Sequence, residues 1–149
     1  MGHRRRNFLV IGLAALVLAS TGCGGTQSSA NDAKVAMGNA DQRLQGSWVL
    51  VDFQPNVALE PMLAQLLSMQ LGHLTVGFNR GQMVATGMAV QARRTYTITS
   101  ATMNDFTATL YDDTGVAYDA RCSFDGDRLL FEALTPPWTG RGTLQRATQ

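Results

Sequence analysis

Histidine and cysteine are scarce in this chain of 149 residues, and its one extended apolar run is short. Each shortage removes a class of function. Of the two histidines, His3 lies in a basic leader, so only His73 is left to the body of the chain. A single histidine supports neither a histidine metal cluster nor a Ser-His-Asp triad. The apolar run, Phe8 to Ala19, is twelve residues long, whereas a helix needs roughly 18 to 20 to cross the hydrocarbon core. No glycine-rich phosphate loop is present. Length and composition are those of one ordinary globular domain.

What is present begins with an address. The positive start "HRRR", the apolar run and the small residues after it have the three-part form of an export signal. Its removal takes Arg4, Arg5 and Arg6 from the 12 basic residues and leaves nine against 11 acidic ones, so a formal charge of +1 becomes −2. No basic patch with interleaved aromatics survives, which argues against a nucleic-acid partner.

The leader ends in "LASTGC", Leu18 to Cys23. Ser20-Thr21-Gly22-Cys23 resembles the lipobox of bacterial lipoproteins, with Ser20 standing where that family usually has leucine. The resemblance implies that the Cys23 sulfur takes diacylglycerol and that a signal peptidase cuts ahead of it, leaving several acyl chains as a stable membrane anchor. The alternative is an ordinary signal peptide cut near Gly22. In an oxidising compartment that would leave Cys23 either paired with Cys122 or as a second loose thiol. Lipidation uses one cysteine and leaves Cys122 single, which suits a buried position. By the same resemblance Gly24, rather than Asp, after the cysteine points to the outer membrane, facing the periplasm or the cell surface. The expected organisation is a signal peptide over 1–22, a flexible tether over 23–43 and a folded domain over 44–147. The tether "GGTQSSANDAKVAMGNADQ" is rich in small and polar residues without a sustained period, and such a chain lets a domain float on the order of 25 Å from the bilayer.

From Leu44 onward, apolar and polar residues alternate with turn residues at short intervals, the pattern of an antiparallel sheet with one wet face. Eight strands are expected, at 47–53, 73–79, 82–87, 90–101, 105–112, 116–124, 128–134 and 139–146. A helical insert, Glu60 to Gly72, lies between the first two. It carries Met62, Leu63, Leu66, Leu67 and Leu71 at helical spacing, with Pro61 suited to its first turn and Gly72 to its end. So wide an apolar face must pack on something. Plugging one end of a barrel would satisfy it, and lying on a membrane or a partner is the alternative.

Short strands joined in sequence by hairpins predict a mainly β fold, an eight-stranded antiparallel up-and-down barrel with one inserted helix, because closure removes open edges. A strand-plus-helix domain of other topology is the competing arrangement. "LQGSW" at 44–48 resembles the Gly-x-Trp opening of lipocalin-like calycin barrels, and "WTGRGTLQR" at 138–146 resembles their closing strand. That resemblance implies a latch of Gly46, Trp48 and Arg146, with Trp48 plugging the barrel base and the guanidinium across its ring; Arg141 is the alternative cation. Inward candidates for lining a ligand cavity are Leu50, Tyr96, Phe106, Tyr118, Phe124 and Phe131. A barrel of this size is either filled by side chains or open enough for one small ligand.

Other motifs have plainer explanations. Asp113-Thr114-Gly115 matches the aspartic-protease tripeptide, but Asp112 precedes it and it joins two alternating strands as a turn does. Asp125-Gly126-Asp127 offers too few oxygens for calcium and suits a hairpin. Arg93 and Arg94 lie in a long strand, so their side chains point to opposite faces; a solvated pair or an edge charge is the expected reading, and one of them entering the barrel to meet an anionic ligand is the alternative. The expectation is a non-catalytic protein without cofactor or metal. It is tethered to the cell envelope by lipid and binds a small apolar ligand; alternatively it is a scaffold or inhibitor that contacts an envelope protein through a solid barrel.

Overall fold

The computed structural model describes residues 25–148; the expected signal peptide and Cys23 lie outside the described residues. Helix α1 (Gly25–Leu44) leads into eight strands. These are β1 (Gly46–Pro55), β2 (Thr75–Asn79), β3 (Gln82–Thr86), β4 (Gln91–Ala101), β5 (Asp105–Tyr111), β6 (Ala117–Asp125), β7 (Arg128–Ala133) and β8 (Gly140–Arg146). Helix α2 (Pro61–Gln70) is inserted between β1 and β2. Each strand pairs antiparallel with the next, and β8 returns to β1 to close the barrel, as the alternation and hairpin turns predict. Among the described residues no helix is long and apolar enough to cross a membrane.

The period of two sets which side chains face inward. Along β4, Tyr96 is buried and Ala92 and Ile98 partly so, while Gln91, Arg93, Thr95 and Thr97 are exposed on the outside. Register shifts between Leu50 and Asp52 in β1 and between Ile98 and Ser100 in β4 mark bulges. An extra residue bends its strand and increases twist, which a small closed barrel requires. Between β2 and β3 the chain reverses at Arg80 and Gly81, both with positive φ (46° and 81°), the combination that a two-residue hairpin of matching twist demands.

Within the segment expected as a tether over 23–43, the described residues form a helix that runs from Gly25 to Leu44 and ends against the barrel. Ala36 and Met37 are half-buried and Ala40 and Leu44 buried, one stripe at helical spacing, and the helix packs on β4 and touches β5. The stripe is narrow and interrupted by Gly38 and Asn39, so its period is faint in the sequence. Tertiary contact stabilises a helix whose local propensity is weak.

Candidate functional site

One end of the barrel holds the start of β1, the end of β8 and the hairpins β2–β3, β4–β5 and β6–β7, and it is sealed. Trp48 is 0 % exposed, and its Nε1 donates to the Leu44 carbonyl at 2.8 Å. Arg146 Cζ stands 4.1 Å from the Trp48 ring centroid. The same guanidinium donates to the Gln45 carbonyl at 3.0 Å and to the Arg43 carbonyl at 2.5 Å. These carbonyls end α1, where backbone acceptors lack intrahelical partners and the helix dipole favours a cation. Gly46, at φ 109°, keeps the space beside Arg146 open; a Cβ there would stand 3.3 Å from Nη1. Arg141 lies elsewhere, on the outer wall, 4.0 Å from Glu132.

A second arginine reinforces the seal. Arg43 Cζ lies 4.1 Å over the Phe124 ring while its Nη1 donates to the Met103 carbonyl at 2.7 Å. Phe124 packs between Trp48 and Phe106, at centroid distances of 6.5 and 5.2 Å. Tyr96 closes the layer by donating to Asp41 Oδ1 at 2.6 Å and accepting from Gln45 Nε2 at 3.0 Å. Burial and the neighbouring Asp41 raise the Tyr96 pKa, so it stays a neutral phenol that can hold this bond.

Above the seal the interior is hollow. An apolar cavity of about 380 Å³ is lined by Leu50, Tyr96, Phe106, Tyr118 and Phe131 from the strands, and by α2 and Trp138 from the opposite end. Its volume lies within the range of small-molecule pockets. Phe124 is not among the lining residues, which corrects its expected role: its ring belongs to the packed base. Phe53 and Phe131 stack with centroids 6.0 Å apart, and Phe131 lies against Gly142 where any side chain would collide with its ring. The glycines of the closing strand therefore make room for aromatic walls.

Helix α2 covers the other end, in the plug position that its apolar face predicts. Leu66 and Leu67 reach the cavity, but two side chains depart from expectation. Met62 is 80 % exposed, and Gln70, on the same helical face as Leu63, Leu66 and Leu67, is only 4 % exposed and lines the cavity. Neither Nε2 nor Oε1 of Gln70 has a hydrogen-bond partner among the described residues. Each such buried atom costs about 1–3 kcal/mol. The polar residue hidden in the apolar stripe was the sequence signal for it. Exposed apolar side chains sit on every connection at this end: Val57, Met62 and Met69 between β1 and β2, Met88 between β3 and β4, Val116 between β5 and β6, and Leu134 between β7 and β8.

The remaining candidates are structural. Asp112 Oδ1 accepts from Thr114 Oγ1 (2.6 Å), Val116 N (2.9 Å) and Thr114 N (3.0 Å), which makes "DDTG" a side-chain-capped turn. The Thr114 hydroxyl, followed by these backbone N–H groups, lowers the Asp112 pKa, and Asp113 of the tripeptide is exposed. Arg94 is on the inward side of β4, with its Cζ 4.3 Å over the Tyr118 ring and Nη1 3.7 Å from Asp112 Oδ2, while Arg93 is exposed. Gly126 and Asp127 form the turn of the β6–β7 hairpin, and His73 is exposed before β2. A wider groove of about 580 Å³ on the barrel wall includes Arg121, Glu132 and Arg141, whose charges face one another at 3.7 and 4.0 Å. No group of three metal-ligating side chains occurs among the described residues.

No protein-family model matches this chain, and no curated protein or solved structure is significantly similar to it. Its fold is an eight-stranded closed antiparallel barrel, consistent with the lipocalin-type barrel class in general. Cys122 completes the cavity wall. Burial pushes its thiol up to about 12, so it stays protonated and unreactive near neutral pH.

Proposed function

We propose that this protein is a non-catalytic cell-envelope lipoprotein, anchored through lipid on Cys23, whose barrel carries a small apolar ligand. The observation that supports carriage is the apolar cavity, closed below by Trp48 and Arg146 and covered by α2. A barrel that served only as a scaffold would gain stability by filling that space, because each buried void forfeits packing contacts. The leader and "STGC" support the anchor, and Gly24 in place of Asp after Cys23 supports its place on the outer membrane, facing the periplasm or the cell surface. An envelope-protein partner is the second reading, favoured by the exposed apolar side chains on the connections around α2.

Native mass spectrometry of the full chain, extracted gently from membranes of its own host beside a Cys23→Ser version, tests both parts. The expected result is an acylated mass lost in the variant, together with a co-purifying small molecule. An acylated protein with an empty barrel that withstands ligand challenge would leave the partner reading. Absence of any acyl mass would overturn the anchor.

A further inference from the structure

We propose that Gln70 recognises the polar end of the barrel's ligand, and that this ligand is a neutral, mainly apolar molecule with a single amide or undissociated carboxylic acid group. The inference rests on the cavity holding a ligand. It starts from a mismatch within α2, whose inward face continues from Leu63, Leu66 and Leu67 to a glutamine. Gln70 is buried, lines the cavity, and has both carboxamide heavy atoms unpartnered among the described residues. The carboxamide lies against the backbone of Gly87, beside Leu74: a Cβ on Gly87 would collide with Gln70 Oε1.

Of the other polar side chains of the cavity wall, Cys122 carries only a weak thiol and Trp138 only an indole N–H donor, and the rest are already committed. Tyr96 bonds Asp41, Tyr118 bonds Asp112, and Asp119 accepts from Thr109. Gln70 therefore sets the head-group chemistry. A carboxamide presents N–H donors beside a carbonyl acceptor. The group that answers both at once has its own acceptor beside its own donor, as in an amide or a protonated carboxylic acid, and closes a ring of two hydrogen bonds. A pure hydrocarbon would leave both Gln70 atoms unpaired. A carboxylate would enter without a free counter-charge: Arg94 is not part of the wall, and although its Nη1 is buried without a hydrogen bond, its charge is matched by Asp112 at 3.7 Å and screened from the cavity by the Tyr118 ring it lies over; buried so, a carboxylate would take up a proton. The rest of the molecule must be apolar to match the leucine and aromatic walls. The cavity holds the equivalent of roughly a dozen water molecules at ~30 Å³ each, enough for a short alkyl chain or a compact ring system.

The test compares decanamide with methyl decanoate, which has a similar chain and acceptors but no N–H. The full chain is purified from its host in phospholipid nanodiscs, with empty nanodiscs as the partition blank. Binding is read from the change in tryptophan emission, Trp138 lining the cavity and Trp48 lying in the base beneath it. We expect decanamide to bind about tenfold tighter than the ester, worth ~1.4 kcal/mol. In Gln70→Leu the gap should collapse to within about twofold with ester binding retained. Gly87→Ala displaces the carboxamide without removing it and should narrow the gap in the same direction. Equal binding of both probes to the unaltered chain, or a preference unchanged in Gln70→Leu, would refute the role of Gln70 while leaving carriage standing. Failure of both probes to reach the unaltered chain and Gln70→Leu alike would count against carriage itself, and the inference would fall with it.

Discussion

Arg146 joins three parts of the molecule: the last strand, the tryptophan of the first, and the carbonyl end of α1. Arg146→Met keeps most of the aliphatic stem and deletes the guanidinium. The variant loses a cation–π contact at 4.1 Å and hydrogen bonds of 3.0 and 2.5 Å to two carbonyls. A cation over an indole contributes about 0.5–2 kcal/mol, and a buried hydrogen bond to a charged group about 1.5–3 kcal/mol. Arg146 is only half-buried, so water and salt reduce these values and the expected loss is about 2–4 kcal/mol. With a urea dependence of about 2 kcal/mol per molar, the middle of the usual range, the unfolding midpoint falls by roughly 1–2 M. Arg146→Lys keeps the charge but replaces a planar fork with one ammonium that cannot serve both carbonyls and the ring, so it should resemble methionine more than arginine. Urea titration followed at 222 nm and by Trp48 emission in a Trp138→Phe background measures both effects. A loss below about 0.5 kcal/mol, or a lysine variant as stable as the original, would refute the latch, since exposed ion contacts are worth no more than that.

Two further substitutions probe the wall. Gly142→Ala forces a methyl into the Phe131 ring and within 3.0 Å of the Asp52 carbonyl, so denaturant titration should show a destabilisation of about 1–3 kcal/mol, the cost of overpacking; a neutral effect would mean that the Phe53–Phe131 stack shifts freely. Cys122 has its thiol pushed from 9.0 up to about 12 by burial. The folded state therefore keeps a proton that the unfolded chain releases, and stability contributed below pH 9 should drain away between about pH 9 and 12, at up to ~1.4 kcal/mol per pH unit. Unfolding titrations across that range should show this slope, and Cys122→Ala should reduce it, leaving the smaller loss above pH 10 that the raised pKa of Tyr96 contributes in the same direction; an unchanged slope would place the whole titration on groups other than Cys122.

Much of this architecture was legible because it follows from local periodicity. Alternation along the strands from "SWVLVDF" to "TGRGTLQR", apart from the bulges in β1 and β4, defines which side chains face inward, and turns at Asn79-Arg80-Gly81 and Asp125-Gly126-Asp127 fix where strands reverse. Eight such strands have a closed barrel as a natural solution, because closure leaves no unpaired edge. The apolar insert at 60–72 likewise declared itself as a helix needing a partner. Other features depend on which surfaces meet. Helix α1 exists because Ala40 and Leu44 find the barrel base and because Arg146, Trp48 and Gln45 satisfy the carbonyls at its end. Phe124 and Phe131 alternate identically in sequence, yet one fills the base and the other lines the cavity, since depth along the barrel decides it. The sequence by itself determined the strands and their inward faces. Tertiary structure alone decided that the barrel is hollow and that Gln70 sits unpaired at the hollow's lid, because volume and hydrogen-bond satisfaction belong to three-dimensional packing and leave no period in the chain.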